Sequence, residues 1–170
     1  MSFSDVHNGG ANVRSARAAG NQTATAGGSG DATQVDGAWV SRKTATGSIA
    51  LSAKAIISYT ATLTAAATLK FAAQFQDAVD AAGAGAANYG DAIASTTAAT
   101  GGGGGTTETG TAEFDVDLGG AREFIRIRVT PDLSAGATDT AAWSAIYLFF
   151  GDQRGFPTKS AVNIASADAI

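Results

Sequence analysis

Glu113, Asp115 and Asp117 stand two residues apart, so an extended backbone puts all three carboxylates on one face. Carboxylates arranged this way could serve paired acid–base chemistry or hold calcium. Arg126 and Arg128 follow with the same spacing, and a solvated face balanced by these two arginines is the preferred reading. Asp132 and Asp139 flank a loop without the spacing of a calcium-binding loop, and they read as turn formers. His7 is the only histidine. It sits in a glycine-rich stretch, where a general base has no rigid setting beside a nucleophile. The chain has no cysteine, which removes disulfides, thiolate nucleophiles and cysteine zinc sites. The glycine run Gly101–Gly105 is not a phosphate loop, since no Gly-Lys-Ser/Thr follows and no apolar strand precedes. It reads as a hairpin tip. The residues therefore predict a protein that is not an enzyme, with no metal and no cofactor.

Trp39, Tyr59, Tyr89 and Trp143 could stack on a carbohydrate if they shared one exposed surface. Tyr59 and Trp143 fall on faces expected to be buried, which weakens that reading.

The elements that must position these groups are strands. From Ile49 to Phe75 every odd position is apolar or aromatic, while Ser52, Lys54, Ser58, Thr60, Thr62, Thr64, Thr68, Lys70 and Gln74 lie between. A two-residue period gives one buried and one wet face. The run is too long for one strand, so it predicts strands over Ile49–Leu63 and Thr68–Gln76 with a turn at Ala65–Ala67. A helix over Thr64–Ala82 competes, because Ala, Leu, Gln and Lys favour helices. The threonines and the retained alternation favour strand. Asp36-Gly37 marks a turn before a strand at Ala38–Lys43, and a weak strand is expected over Asp91–Thr97. Thr111–Leu118 alternates, Gly119-Gly120 turns the chain, and Phe124–Thr130 alternates again. A hairpin here would set the arginine row beside the acidic row. Ala141–Phe150 is apolar on both faces, as in a central strand or one covered by a partner.

The pattern predicts an all-β, antiparallel β-sandwich, jelly-roll-like, over residues 37–151. An extended N-terminal arm over 1–36 and a C-terminal arm or edge strand over 152–170 complete the expected organisation. The arms are rich in small residues and cannot offset the entropy of ordering themselves, about 1–2 kcal/mol per residue. Phe3, Val6, Val13, Arg14 and Arg17 in the first, and Val162, Ile164 and Ile170 in the second, are the candidate partner contacts. Six of the fourteen residues on the apolar face of Ile49–Phe75 are alanine, so the core is expected to be thin and to gain order by association.

The 170 residues suit one domain with appendages. A net charge of −4 argues against a nucleic-acid surface. No window approaches the roughly 18 apolar residues of a membrane span. Met1-Ser2-Phe3-Ser4-Asp5 lacks the basic region and apolar core of a signal peptide, which predicts synthesis in a cytoplasm without export by the ordinary secretory route.

Two stretches carry a resemblance: Val35-Asp36-Gly37-Ala38-Trp39-Val40-Ser41-Arg42-Lys43, and Phe124-Ile125-Arg126-Ile127-Arg128-Val129-Thr130-Pro131-Asp132-Leu133-Ser134. With Gln76-Asp77 between them and Thr138-Asp139-Thr140-Ala141 after, the sequence resembles small β-rich virion proteins of tailed bacteriophages, of the kind encoded near the major capsid gene. The resemblance covers roughly Val35 to Gly151 and omits both tails. It implies a capsid decoration (cement) protein on the outer head surface that locks capsomers together. The major capsid protein and copies of the chain itself, as a trimer or other homo-oligomer, would be its partners, with no nucleic acid and no membrane. A tail-tip, fibre or spike module binding a host glycan is one alternative, and a tail-tube or connector subunit is another.

Overall fold

The computed structural model describes residues 13–43, 47–134 and 138–152 (of Asp152 the backbone only). These form nine strands: β1 (Arg14–Thr25), β2 (Val35–Asp36), β3 (Val40–Ser41), β4 (Ala50–Leu63), β5 (Thr68–Ala78), β6 (Ala87–Thr100), β7 (Thr106–Asp117), β8 (Phe124–Leu133) and β9 (Thr140–Asp152). One sheet has the order β1-β9-β4-β7, the other β2-β8-β5-β6, with β3 also on β8. Every strand pair is antiparallel. The two sheets pack as a β-sandwich, as the sequence predicts. No helix among the described residues is long and apolar enough to cross a membrane.

The inward rows explain how an alanine-rich strand makes a core. Ala53 and Ala55 of β4 lie beside Phe149 and Tyr147 of β9, so small and large side chains alternate across one sheet. The facing sheet contributes Leu69, Phe71, Phe75, Ile125, Ile127 and Val129, all buried. Phe71 reaches across to Trp143, ring centroids 5.9 Å apart and nearly perpendicular, and to Tyr59 at 6.0 Å. Volume missing from the alanines of β4 is thus supplied by aromatics of β5 and β9. Both alternating strands come out as expected, and no helix forms over 64–82.

Four expectations change. Residues 14–25, assigned to an arm, form a twelve-residue strand on β9. Of the strand expected at Ala38–Lys43 only Val40–Ser41 (β3) forms, and Val35–Asp36 (β2), on the other side of the Gly37 turn, is a second short piece on the same strand β8. The hairpin expected at Gly119-Gly120 does not form: β7 pairs β4 and β8 pairs β5, so the chain crosses between sheets. Gly101–Gly105 likewise joins β6 to β7 across the sandwich and is not a hairpin tip.

The weak strand expected over Asp91–Thr97 runs longer, over Ala87–Thr100. From Thr68 to Asp77, β5 advances nine positions while β6 advances thirteen, from Thr100 to Ala87, so β6 carries four extra residues as bulges. Bulges twist an edge strand away from further pairing, which suits a strand this exposed.

Candidate functional site

The outer face of the β1-β9-β4-β7 sheet has two halves. Towards one end it is a lawn of small hydroxyl side chains, with Thr62 flanked by Thr107 and Thr140, and Ser58 flanked by Thr111 and Ser144. Towards the other, the registers align Arg17, Ile146, Ile56 and Glu113 in one row across all four strands. The next row is Ser15, Leu148, Lys54 and Asp115, and the next sets Phe150 and Ser52 beside Asp117. Ile146 is 42% exposed, and Ile56, Leu148 and Phe150 are half-buried. The Arg17 row therefore runs basic, apolar, apolar, acidic from β1 to β7, and the row beside it runs hydroxyl, apolar, basic, acidic.

Lys54 orders its acidic side. Its Nζ donates to Glu113 Oε2 at 2.7 Å and lies 3.5 Å from Asp115 Oδ1. The hydrogen bond with Glu113, more than the nearby charges, raises the Lys54 pKa. Asp117 accepts from the backbone N–H of Gly119 at 2.8 Å, a turn function. The acidic row is charge-balanced as expected, but by Lys54. Arg126 and Arg128 lie in the other sheet and bind Asp36, at 2.9 and 3.0 Å. Arg126 also stacks on Trp39, 4.5 Å from its ring centre. Asp139 is buried and accepts from Thr64 N at 2.8 Å and Thr64 Oγ1 at 3.2 Å, so it fastens the β4–β5 turn. Among the described residues no group of three or more His, Cys, Asp or Glu could hold a metal ion.

Of the candidate partner contacts, Phe3, Val6, Val162, Ile164 and Ile170 lie outside the described residues. Val13 is half-buried just before β1. Arg14 turns inward: it donates to the Ser41 carbonyl at 2.6 Å and covers the Phe149 ring, 4.3 Å from its centre. Burial lowers its pKa. Arg14 is thus a lid on the sandwich edge. Arg17 stands exposed on the outer face, with its guanidinium beside Gly20.

The aromatics do not form a stacking platform. Tyr59 and Trp143 are buried in the core, and the Tyr59 hydroxyl donates to the Ala98 carbonyl at 2.6 Å. Trp39 lies under Arg126, and Tyr89 is half-buried on β6 beside Phe75. The sequence marks Ala141–Phe150 as apolar on both faces, which includes Ile146, Leu148 and Phe150, but that reading passes over Ile56. The signal was there, an isoleucine interrupting an otherwise polar row.

No family model and no curated protein sequence matches the chain. In solved structures it is similar to a chain in "Structure of infectious bursal disease virus Gx strain", with TM-score 0.36, 15% identity, and coverage of 81% of this chain and 32% of that one. A second, "Structure of infectious bursal disease virus Gt strain", gives 0.36, 11%, 81% and 32%. The chain spans about a third (32%) of the length of those chains, and a likeness at this score carries no argument about function.

Proposed function

We propose that the protein is a noncatalytic virion structural protein, a capsid decoration (cement) protein bound to the outer surface of a tailed-phage head. The observation that supports this most is the strand order. Numbered along the chain, β1-β9-β4-β7 against β2-β8-β5-β6 pairs the first long strand with the last and crosses the chain repeatedly between the two sheets. That order supports reading the sandwich as a jelly roll, two Greek keys wrapped together, an architecture used in viral capsid domains and also in lectins and cupins. Architecture alone does not carry function. The sequence resemblance to small phage virion proteins narrows it, and the acidic and aromatic residues that could have supported chemistry are used structurally. In this reading the major capsid protein and copies of the chain itself are the partners, and the terminal segments supply contacts to the shell.

The test is co-sedimentation of the purified chain with undecorated heads. The full chain is expected to saturate the heads. A chain lacking residues 1–12, which keeps all of β1, is expected to fold and to lose most of the binding. Binding undiminished by that truncation would overturn the role of the N-terminal segment. Failure of the full chain to bind would overturn the decoration reading.

A further inference from the structure

The row Arg17–Ile146–Ile56–Glu113 is its own complement. Rotating a second copy by half a turn about an axis parallel to the strands, midway between β9 and β4, lays β1 of one copy over β7 of the other. Arg17 then meets Glu113 of the second copy, and Ile146 meets Ile56, in both directions at once. We infer that two copies of this chain pack face to face through the outer surfaces of their β1-β9-β4-β7 sheets, related by this two-fold axis. The inference deepens the self-association in the functional reading but stands on the geometry of one sheet.

Three observations carry it. The registers place the four side chains in one line, so the pairing needs no strand shift. Ile146 is one of only two large hydrophobic side chains exposed among the described residues, and it sits at the centre of that line. On one side of that line Ser58, Thr60, Ala142 and Ser144 are short, and on the other the same rotation sets Phe150 over Ser52 and Leu148 over the alkyl stem of Lys54, so the two sheets can approach to about 10 Å, the usual spacing of packed sheets. Four strands about 4.8 Å apart and about twelve residues long offer about 760 Å² per copy, close to the roughly 800 Å² of a standard specific interface. Such an interface is isologous and closed, so it yields a pair and not a filament.

Glu113 keeps its bond to Lys54 in this arrangement, because a carboxylate accepts from two cations through its two oxygens. Opposite charges at the flanks and a short apolar strip at the centre fix orientation, since the axis at right angles to the strands would set β1 over β1 and β7 over β7.

Sedimentation velocity of the full chain tests this. At about 100 μM, where a micromolar interface is saturated, the parent is expected to run as a dimer. Ile146→Asp is expected to run as a monomer with an unchanged circular dichroism spectrum. Arg17→Glu and Glu113→Arg alone are each expected to weaken the dimer about tenfold or more, by facing like charges. Mixed in equal amounts, the two charge variants restore Glu–Arg and Arg–Glu contacts, and the heterodimer is expected within about threefold of the parent. A monomeric parent, an oligomer untouched by Ile146→Asp, or a mixture that fails to recover would overturn the inference. Head binding is read separately, so loss of the dimer leaves the decoration reading standing or falling on its own test.

Discussion

Asp77 and Arg122 form the most constrained ion pair among the described residues. Asp77 is buried, and Arg122 reaches it twice, through Nη2 to Oδ1 and through its backbone N–H to Oδ2 at 2.9 Å. Arg122 Nη2 also donates to the Asp77 carbonyl at 2.9 Å, which ties the end of β5 to the segment entering β8. The side-chain hydrogen bond from Arg122 holds the Asp77 carboxyl below its ordinary value. A carboxylate whose folded pKa is depressed stabilises fully above its unfolded pKa, about 3.9, and the contribution is lost as pH falls through the folded value. Asp77→Asn is therefore expected to cost about 1–3 kcal/mol near neutral pH, with the difference from the parent shrinking below about pH 4. Urea unfolding at pH 7 and at about pH 2.5 measures this. An equal gap at the two pH values would contradict it. Tyr147 shows the opposite case: burial pushes the pKa of its hydroxyl up, and the backbone of Ile127 and the charge of Arg126 offset this only in part.

At the scale of elements, the crossing at Gly37 holds the two sheets together at one edge. Its N–H donates to the Ile127 carbonyl of β8 at 2.9 Å, and the next N–H, of Ala38, donates to the Ala18 carbonyl of β1 at 2.7 Å. A Cβ on Gly37 would stand 2.6 Å from the first oxygen and 2.8 Å from the second. Both obstacles are backbone and cannot swing aside. Gly37→Ala is expected to destabilise the fold by about 1–3 kcal/mol, the usual range for overpacking. A thermal melt reads this, and an unchanged midpoint would show that the edge has room. Arg42 closes the neighbouring corner by donating to the carbonyls of Ala50, Leu118, Ala121 and Arg122.

The same elements show what the sequence could reveal. Alternation located β4, β5, β7 and β8, because each buries one face against the opposite sheet and the burial leaves its mark every second residue, whereas β9 stands out as a run apolar on both faces. It could not assign strands to sheets. Gly119-Gly120 turns the chain equally well into a neighbouring strand or across the sandwich, and only long-range pairing decides. It also missed β1, whose run of Ala, Ser, Gly, Asn and Thr has little apolar surface. That strand is ordered by its ladder to β9 and by Arg14 lying on Phe149. That β9 is apolar on both faces was legible, whereas which face points outward and its continuation through Arg17, Ile56 and Glu113 depend on register.

At the scale of the whole molecule, a core closed by aromatics from β5 and β9 leaves the sandwich less dependent on neighbours than its alanines alone suggest. Association is then better understood as the use of a finished surface than as rescue of an unfinished fold. It also changes how the terminal segments are to be probed: removing residues 1–36 would strip β1 from β9 and damage the sandwich, whereas a cut after residue 12 spares it. The central claim is a place on the virion. Cryo-electron microscopy of native particles carrying the chain tests it most directly. The decoration reading predicts density the size of this sandwich on the outer head surface, seated over contacts between capsomers. Density confined to the tail tube, connector or fibres, with bare heads, would contradict it.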